Sequence, residues 1–293
     1  MTVRKAVIPA AGFGTRFLPA TKALAKEMIP VVDKPGIQYA VEEAARAGID
    51  DILVVTSRGK GAIGDHFDPH SELEQLLEAA GKTEELEAVR HITSLAKLHY
   101  VHQKKASGLG HAVLEAKEHV GSEPFIVMLP DEIVPEPSDQ EVPLIPRLIE
   151  LFKETDASVV AVRRVPREDV PKYGVIAHEE IQGDHTRVTR LVEKPSVDEA
   201  PSELSLPGRY LFKPEIFDAI ERTKPGVGGE VQVTDSIDLL ARESDVLAYI
   251  HEGPIFDYGK KVEFLKTTIR LALRREDLAK PLREFLAEID LDS

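Results

Sequence analysis

The sequence predicts an α/β fold, namely a Rossmann-like, mostly parallel (mixed) sheet flanked by helices, with a small antiparallel portion in its later half. Through roughly the first half of the chain, short apolar runs alternate with amphipathic stretches, which is the pattern of a parallel sheet covered on both faces. Shorter strand patterns separated by polar turns follow. A length of 293 residues, 42% of them hydrophobic, is enough for one large domain with its own core.

Continuous apolar runs predict four buried strands in the first half. These runs are residues 3–9, 52–55, 98–102 and 124–129. Residues 35–47 predict a helix, because their apolar residues recur on one face, and Gly48 ends it. A helical region that begins at Ser71 and is interrupted near Gly81 precedes the third strand, and a further helix is predicted at residues 108–119.

The later half predicts short strands and two closing helices. The strand patterns cover residues 157–162, 175–177, 187–192 and 209–212. They indicate an antiparallel portion near residues 165–215, and helical patterns at 260–274 and 277–289 end the chain. The sequence contains no repeat, low-complexity tract or long linker, so we expect residues 1–293 to form a single domain.

The composition excludes several classes of protein and of chemistry. Acidic residues outnumber basic residues 51 to 37, a formal charge of −14, which disfavours nucleic acid as a partner. The chain has no cysteine, so disulfides, thiolate metal sites and a thiol nucleophile are excluded. No apolar stretch approaches the ~20 residues of a membrane span, and the N-terminus lacks the pattern of a secretory signal. We therefore expect a cytoplasmic protein with no membrane partner.

A glycine-rich loop, residues 10–16 (AAGFGTR), follows the first predicted strand directly. Glycines in such a loop let backbone N–H groups approach a phosphate or a base. A dinucleotide-binding fingerprint is weakened by Phe17 in place of the third glycine and by the lack of an acid after the second strand. A P-loop is not matched, since no Gly-Lys-Ser or Gly-Lys-Thr follows. An ordinary strand-to-helix turn remains the plainer interpretation of this loop alone.

Basic residues follow this loop closely, which favours a phosphate ligand. Arg16, Lys22 and Lys26 lie within 11 residues of one another on a chain that is acidic overall. Pro19 and Pro30 keep the segment out of a long helix, so it is predicted to be a shaped loop.

The segment GFGTRFLPATKALAKEMIP resembles the N-terminal signature of the nucleotidyl transferase family, and specifically its uridylyltransferase branch. The resemblance continues in family order from residue 5 to about residue 270, through VVDKPGIQYAVEEA, GLGHAVL, MLPDE, YGVI, VEKP, GRYLF, EVQVTDSIDLL and FDYGKK. It implies an enzyme that transfers a uridylyl group from UTP to glucose 1-phosphate, giving UDP-glucose and pyrophosphate. It also implies direct displacement at the α-phosphorus, so that catalysis consists of positioning and charge neutralisation.

The resemblance also implies a role for particular residues. Arg16, Lys26, Asp131 and Lys194 match catalytic positions, with Arg16 and Lys26 on the triphosphate. Positions matching the nucleotide-binding set are Ala11, Gly12, Gly14, Glu27, Gln103 and Gly108. Gln103 offers a donor and an acceptor together, which suits the imide edge of uracil. For the sugar, the region near residues 165–215 supplies Gly174, Glu193 and Lys194.

Asp131 and Asp257 match the ligands of a Mg²⁺ cofactor. Asp131 follows an apolar strand at its carboxyl end, where open α/β sheets place their ligands. We expect Asp257 to converge on the same ion, on the condition that the strands preceding the two residues are neighbours in the sheet. Taken singly, each proposed site residue has a plainer interpretation. Asp131 and Asp257 could each cap a helix or a turn. Gln103 could be a surface amide, and Glu193 and Lys194 could form a solvated turn.

The sequence leaves alternatives open. The same chemistry with dTTP or another nucleotide is one, a non-catalytic nucleotide-sugar sensor is another, and a Rossmann dehydrogenase is a third. We further expect a homo-oligomer, either a dimer or a tetramer, although the sequence does not itself give the oligomeric state.

Overall fold

The chain folds around one large β-sheet. The computed structural model describes residues 2–138 and 141–290. The strands are β1 (Lys5–Pro9), β2 (Pro30–Val31), β3 (Lys34–Pro35), β4 (Asp51–Thr56), β5 (Lys97–His102), β6 (Phe125–Met128), β7 (Glu132–Ile133), β8 (Ser158–Arg164), β9 (Gly174–His178), β10 (His185–Glu193), β11 (Leu204–Ser205), β12 (Arg209–Phe212), β13 (Val246–Ile250) and β14 (Phe256–Asp257).

The α-helices lie between these strands and after the last of them in the chain. They are α1 (Gly36–Arg46), α2 (Ala62–Phe67), α3 (Ser71–Ala79), α4 (Thr83–Ser94), α5 (Leu109–Leu114), α6 (Lys117–Val120), α7 (Leu144–Thr155), α8 (Glu215–Arg222), α9 (Val233–Glu243), α10 (Lys261–Ala272) and α11 (Glu276–Glu288). Among the residues described, no helix combines the length and the hydrophobicity needed to span a membrane.

The large sheet is mixed, as the sequence predicts. Within the described residues its strand order is β11-β9-β10-β13-β8-β12-β6-β1-β4-β5. The four strands predicted for the first half, β6, β1, β4 and β5, run parallel to one another at one side. β12 is antiparallel to both of its neighbours, and β9, β10 and β11 pair antiparallel at the other side. The antiparallel strands therefore extend the main sheet.

Two apolar cores cover the two faces of the sheet. Strand residues alternate between the faces, so Ile8 packs with α1 and α7 whereas its neighbour Val7 packs with α5, α8 and α9. Both residues are fully buried, and a buried aliphatic side chain of this size contributes about 1.5–3 kcal/mol. The three-layer arrangement that results confirms the predicted fold class.

Most elements lie where the sequence predicts them, but α2, α7, α8 and α9 were not predicted. Two small ribbons also lie outside the main sheet, β2 with β3 and β7 with β14. A third, smaller core that includes Val31, Ile133, Tyr258 and Leu271 joins these ribbons to α10. As a result, the C-terminal part of the chain packs against the segment that follows β1.

Candidate active site

A polar cleft lies where the parallel strands β1 and β6 end. The loop after β1 and the turn after β6 form its two sides, because neighbouring parallel strands deliver their carboxyl ends to one edge. The cleft has a volume of about 410 Å³. It is lined by Pro9, Gly12, Gly14, Thr15, Arg16, Lys26, Glu27, Leu129, Pro130, Asp131, Glu230 and Gly259.

The glycines of the loop after β1 serve two different purposes. No heavy atom lies within 4 Å of the position that a Cβ on Gly12 would occupy, so the backbone there is open to a ligand. Gly14 has a φ of 62°, and a Cβ on it would lie 2.8 Å from Lys26 Cβ. Only glycine fits this position without strain, and it lets the loop fold back on Lys26. Thr21 fixes the turn by donating a 2.8 Å hydrogen bond to the Gly14 carbonyl.

Lys26 makes the central contact of the cleft. Its Nζ lies 2.6 Å from Asp131 Oδ2 and 5.7 Å from the centre of the Tyr258 ring. Burial opposes ionisation of Asp131, but the charges of Lys26 and Arg16 lower the pKa of this carboxyl below its ordinary value. Asp131 is therefore held as a carboxylate by the two cations that the sequence predicts for a triphosphate. Lys22, the third cation of that segment, is exposed and is not among the residues that line the cleft.

Asp131 and Asp257 converge on one point. An ideal Cβ on Gly259 would lie 2.9 Å from Asp257 Oδ1 and 3.1 Å from Asp131 Oδ2, so the two oxygens are separated by no more than the sum of these distances. That sum is well below the ~10 Å at which one ion could no longer contact both carboxylates. Paired carboxylates facing one point are donors that Mg²⁺ takes, so these residues fit the expected ion.

The reason expected for this convergence was wrong. The preceding strands, β6 and β13, are not neighbours, because β12 and β8 lie between them in the sheet. The ribbon β7–β14 brings the two residues together instead. Asp257 pairs with Glu132 in that ribbon, and the Tyr258 N–H donates a 3.0 Å hydrogen bond to the Asp131 carbonyl.

A buried arginine supports the turn that carries Asp131. Arg209 is fully buried, and its guanidinium donates hydrogen bonds to the carbonyls of Leu129 (2.8 Å) and Glu132 (2.7 Å). The same group donates two hydrogen bonds to Glu43 Oε2 on α1. The three residues after β6 are thus fixed from both sides by one cation whose charge is paired.

A second pocket, of about 320 Å³, lies beside the glycine loop. It is lined by Ala11, Phe13, Ser57, Arg58, His102, Gln103, Lys104 and Ala106. Gln103 Nε2 donates a 3.2 Å hydrogen bond to the Gly108 carbonyl and lies 3.0 Å from His111 Nδ1, so the amide is held in one orientation. Gly108 has a φ of 98°, and a Cβ on it would lie 2.7 Å from the Val231 carbonyl oxygen, which only glycine avoids.

The predicted sugar residues lie together on β9 and β10. Gly174 and Glu193 are register partners in these strands. Glu193 accepts hydrogen bonds from Thr234 Oγ1 (2.8 Å) and Lys194 Nζ (2.7 Å), and Lys194 turns the chain with a φ of 46°. Burial, reinforced first by Glu193 and also by Asp131, raises the pKa of Tyr210. The charges of the predicted sugar carboxylate and of the predicted metal ligand therefore act in the same direction on the Tyr210 hydroxyl.

Comparison with known proteins identifies the family of this chain. The sequence model of the nucleotidyl transferase family matches residues 5–272. The chain belongs to that family. It is 47% identical over 289 residues to a UTP–glucose-1-phosphate uridylyltransferase of Staphylococcus epidermidis, with 99% of each chain covered.

Two solved structures resemble this nucleotidyl transferase closely. A UTP-bound UGPase from Acinetobacter baumannii matches with a TM-score of 0.90 and 37% identity, covering 99% of this chain and 100% of that one. A UDP-glucose pyrophosphorylase complexed with UDP-glucose matches with a TM-score of 0.84 and 37% identity, covering 94% of this chain and 100% of that one. These matches confirm the family resemblance noted in the sequence.

Three residues that support the candidate site were not identified in the sequence: Arg209, Thr234 and Lys60. Lys60 Nζ donates hydrogen bonds to the Ala10 carbonyl (2.5 Å) and to Glu27 Oε2 (2.8 Å), and the Lys60 and Glu27 side chains are 8% and 7% exposed. Glu27 therefore lines the cleft, and its buried ion pair with Lys60 holds it there. The position of Lys60, shortly after a strand that neighbours β1, was the signal available for finding it.

Proposed function

We propose that this chain transfers a uridylyl group from UTP to glucose 1-phosphate, giving UDP-glucose and pyrophosphate. The observation that carries the proposal is the convergence of Lys26, Asp131 and Asp257 beside an open glycine loop at the carboxyl ends of β1 and β6. The relatives' names and the UTP and UDP-glucose in the similar structures support the same substrates.

In this proposal the loop after β1 holds the triphosphate. Arg16 and Lys26 neutralise the phosphate oxygens, Arg16 through a bidentate contact and Lys26 as a point charge. Gly12 and Gly14 allow the backbone to approach the nucleotide, and the buried pair of Lys60 with Glu27 keeps the loop in place. The triphosphate lies in the cleft of about 410 Å³.

The uracil base occupies the neighbouring pocket that Ala11 and Gln103 line. Since Gln103 Nε2 is engaged by Gly108 and His111, its carbonyl oxygen is oriented to accept from the imide N–H of the base. A purine does not present the same edge as uracil at the depth of Gln103 in the pocket, so ATP and GTP are poor substrates.

Glucose 1-phosphate binds along β9 and β10. Glu193, oriented by Thr234, accepts hydrogen bonds from sugar hydroxyls, and the Gly174 backbone contributes beside it. Lys194 binds the sugar phosphate. This arrangement positions the phosphate oxygen for attack on the α-phosphorus of UTP, after which pyrophosphate leaves without a covalent enzyme intermediate.

Asp131 and Asp257 would hold the Mg²⁺ that this chemistry requires. When bound, the ion supplies neutralisation of charge at the reacting phosphates. The residues themselves keep two carboxylates aimed at one point, with Lys26 beside them to balance their charge.

Pyrophosphate release measured over a grid of nucleotides and sugar phosphates tests the proposal. We expect UTP with glucose 1-phosphate to give the highest kcat/KM, with dTTP as the nearest competitor. If ATP matches UTP, the base pocket is wrongly assigned. If every pair is inactive while UDP-glucose still binds, the chain is a sensor.

The proposal also covers the cellular location and the oligomeric state of the enzyme. We place it in the cytoplasm, as the composition leads us to expect, and we propose a homo-oligomer, dimer or tetramer. Val262, Leu265 and Ile269 give α10 an exposed apolar stripe that suits contact with a second copy. Light scattering at several protein concentrations measures the oligomeric state directly.

A further inference from the structure

Two histidines and an aspartate meet at the opposite end of the sheet from the cleft. β4 and β5 run parallel, with Leu53 opposite His99, and Asp51 lies on the same face as Leu53 because side chains alternate along a strand. That face is covered by the core to which Val120 of α6 belongs. Packing of α6 therefore brings His119 over Asp51 and His99.

The side chains of Asp51, His99 and His119 are close enough to share one ion. His119 Nε2 lies 2.8 Å and His99 Nε2 lies 3.6 Å from Asp51 Oδ1. One ligand atom from each residue lies within 4.8 Å of the others. Donors around a tetrahedral Zn²⁺ at ~2.1 Å are about 3.4 Å apart, so the observed spacings bracket the value needed. The His99 side chain is half exposed and can adjust by rotating.

We propose that Asp51, His99 and His119 form a binding site for a first-row transition ion of the Zn²⁺ class, with water completing the coordination. Two imidazole nitrogens and one carboxylate are the donor set that Zn²⁺ takes, whereas Mg²⁺ prefers oxygen ligands throughout. This site is independent of the proposed uridylyl transfer. It lies at the first residue of β4, about 13 Å along the strand from Val55, which pairs with Pro9 at the cleft.

The surroundings fix the site in place. Lys5 on β1 donates to the carbonyls of His119 (2.9 Å) and Val120 (3.3 Å), so α6 is tied to the sheet next to the cluster. The Lys5 charge is itself paired with Glu123 at 2.6 Å, which limits its repulsion of a bound cation. Among the described residues β5 pairs with β4 alone, so an ion here would fasten an edge strand to α6.

Titration calorimetry with Zn²⁺, in excess Mg²⁺ to occupy the oxygen-donor sites, tests this proposal on the full chain. We expect one Zn²⁺ to bind per chain at this site. His99→Ala and His119→Ala should each bind it at least ~10-fold more weakly, because each removes a direct ligand and even the loss of an outer-shell partner costs that much. His91→Ala, which changes an exposed histidine outside the cluster, is the matched control and should bind as the unaltered chain does.

Two further measurements make the result decisive. Zn²⁺ should raise the Tm of the unaltered chain, and EDTA should reverse the increase. Zn²⁺ should not raise the Tm of the His99→Ala variant. That variant should still fold, because the His99 side chain is half exposed. Anomalous scattering at the zinc edge should place the ion between the three side chains. Equal Zn²⁺ affinity in the unaltered chain and both ligand variants, or scattering elsewhere only, would overturn the site.

Discussion

Lys26 Nζ lies 2.6 Å from Asp131 Oδ2, although 105 positions separate the two residues in the chain. The contact joins the loop that follows β1 to the turn that follows β6. One residue of the pair is the proposed triphosphate cation and the other is the proposed metal ligand. Each therefore sets the electrostatic environment of the other, and substitutions at the two positions should not be additive.

Lys26→Ala and Arg16→Ala should each lower kcat/KM by ~100-fold or more while the fold survives. One charge-assisted hydrogen bond contributes roughly 1.5–3 kcal/mol, and about 1.4 kcal/mol corresponds to tenfold in rate. Steady-state pyrophosphate release measures the effect. Lys22→Ala, an exposed cation of the same segment, is the control and should remain near normal. Full activity in both test variants would remove the assignment of the loop.

Asp131→Asn and Asp257→Asn should be folded but severely slowed, and EDTA should abolish activity until Mg²⁺ is added. Each substitution removes a charged donor from a site with few protein ligands. The control is Asp245→Asn, an aspartate whose side chain is 67% exposed and pairs with Arg187. If Asp131 and Asp257 were only turn residues, turnover would be close to normal and stability would fall by ~1 kcal/mol or less.

Arg209→Met should destabilise the protein by about 3–5 kcal/mol, because it leaves Glu43 buried and unpaired. The double variant Arg209→Met/Glu43→Met should recover most of that free energy of unfolding. Its kcat should nevertheless stay at least ~10-fold low, since the carbonyls of Leu129 and Glu132 lose the donor that fixes the Asp131 turn. Urea denaturation and kcat measured on both variants separate the two effects. A double variant with normal kcat would show that Arg209 has no positioning role.

Glu193→Gln and Lys194→Ala should raise KM for glucose 1-phosphate more than KM for UTP. Both side chains belong to the proposed sugar site, and Thr234→Val should act in the same direction because Thr234 orients Glu193. The exposed Glu199→Gln serves as control. Equal increases in both KM values would point to a folding defect.

Stability should fall between pH 6.5 and pH 4 through His251. Burial lowers the pKa of this imidazole to about 4, and Glu141 opposes the shift while Arg163 and Arg209 add to it. The unfolded chain then binds a proton that the folded chain does not, so the free energy of unfolding decreases as pH falls through this window. The other charged groups around the adjoining cavity are Arg164, Asp184 and Glu252.

His251→Leu isolates this contribution. The loss of stability between pH 7.5 and pH 5, measured by urea denaturation, should be smaller in the variant by roughly 2 kcal/mol. An unchanged pH dependence would mean that folding does not shift the pKa of His251.

The sequence predicted what depends on local pattern. Apolar runs predicted the strands of the parallel region, and one-sided helical faces predicted both C-terminal helices. The glycines at positions 12 and 14 indicated the loop after β1. α7, α8 and α9 were missed, although their buried faces are strongly one-sided.

Contacts between distant segments were harder to predict. The contacts of Lys60 and Arg209 span 50 and 166 positions respectively, and no local pattern encodes either partner. The convergence of Asp131 and Asp257 was predicted, but its cause was not, because two-residue strands such as β7 and β14 are too short to leave a periodic signal.

The ribbon between β7 and β14 has a consequence for synthesis of the chain on the ribosome. The proposed catalytic group spans Arg16 to Asp257, so it cannot assemble until residue 257 has emerged. A nascent chain stalled before residue 257 would carry the glycine loop and the sugar residues without the second carboxylate. Premature termination or proteolysis before residue 257 should thus yield a protein that lacks both the second carboxylate and the ribbon that places Asp131.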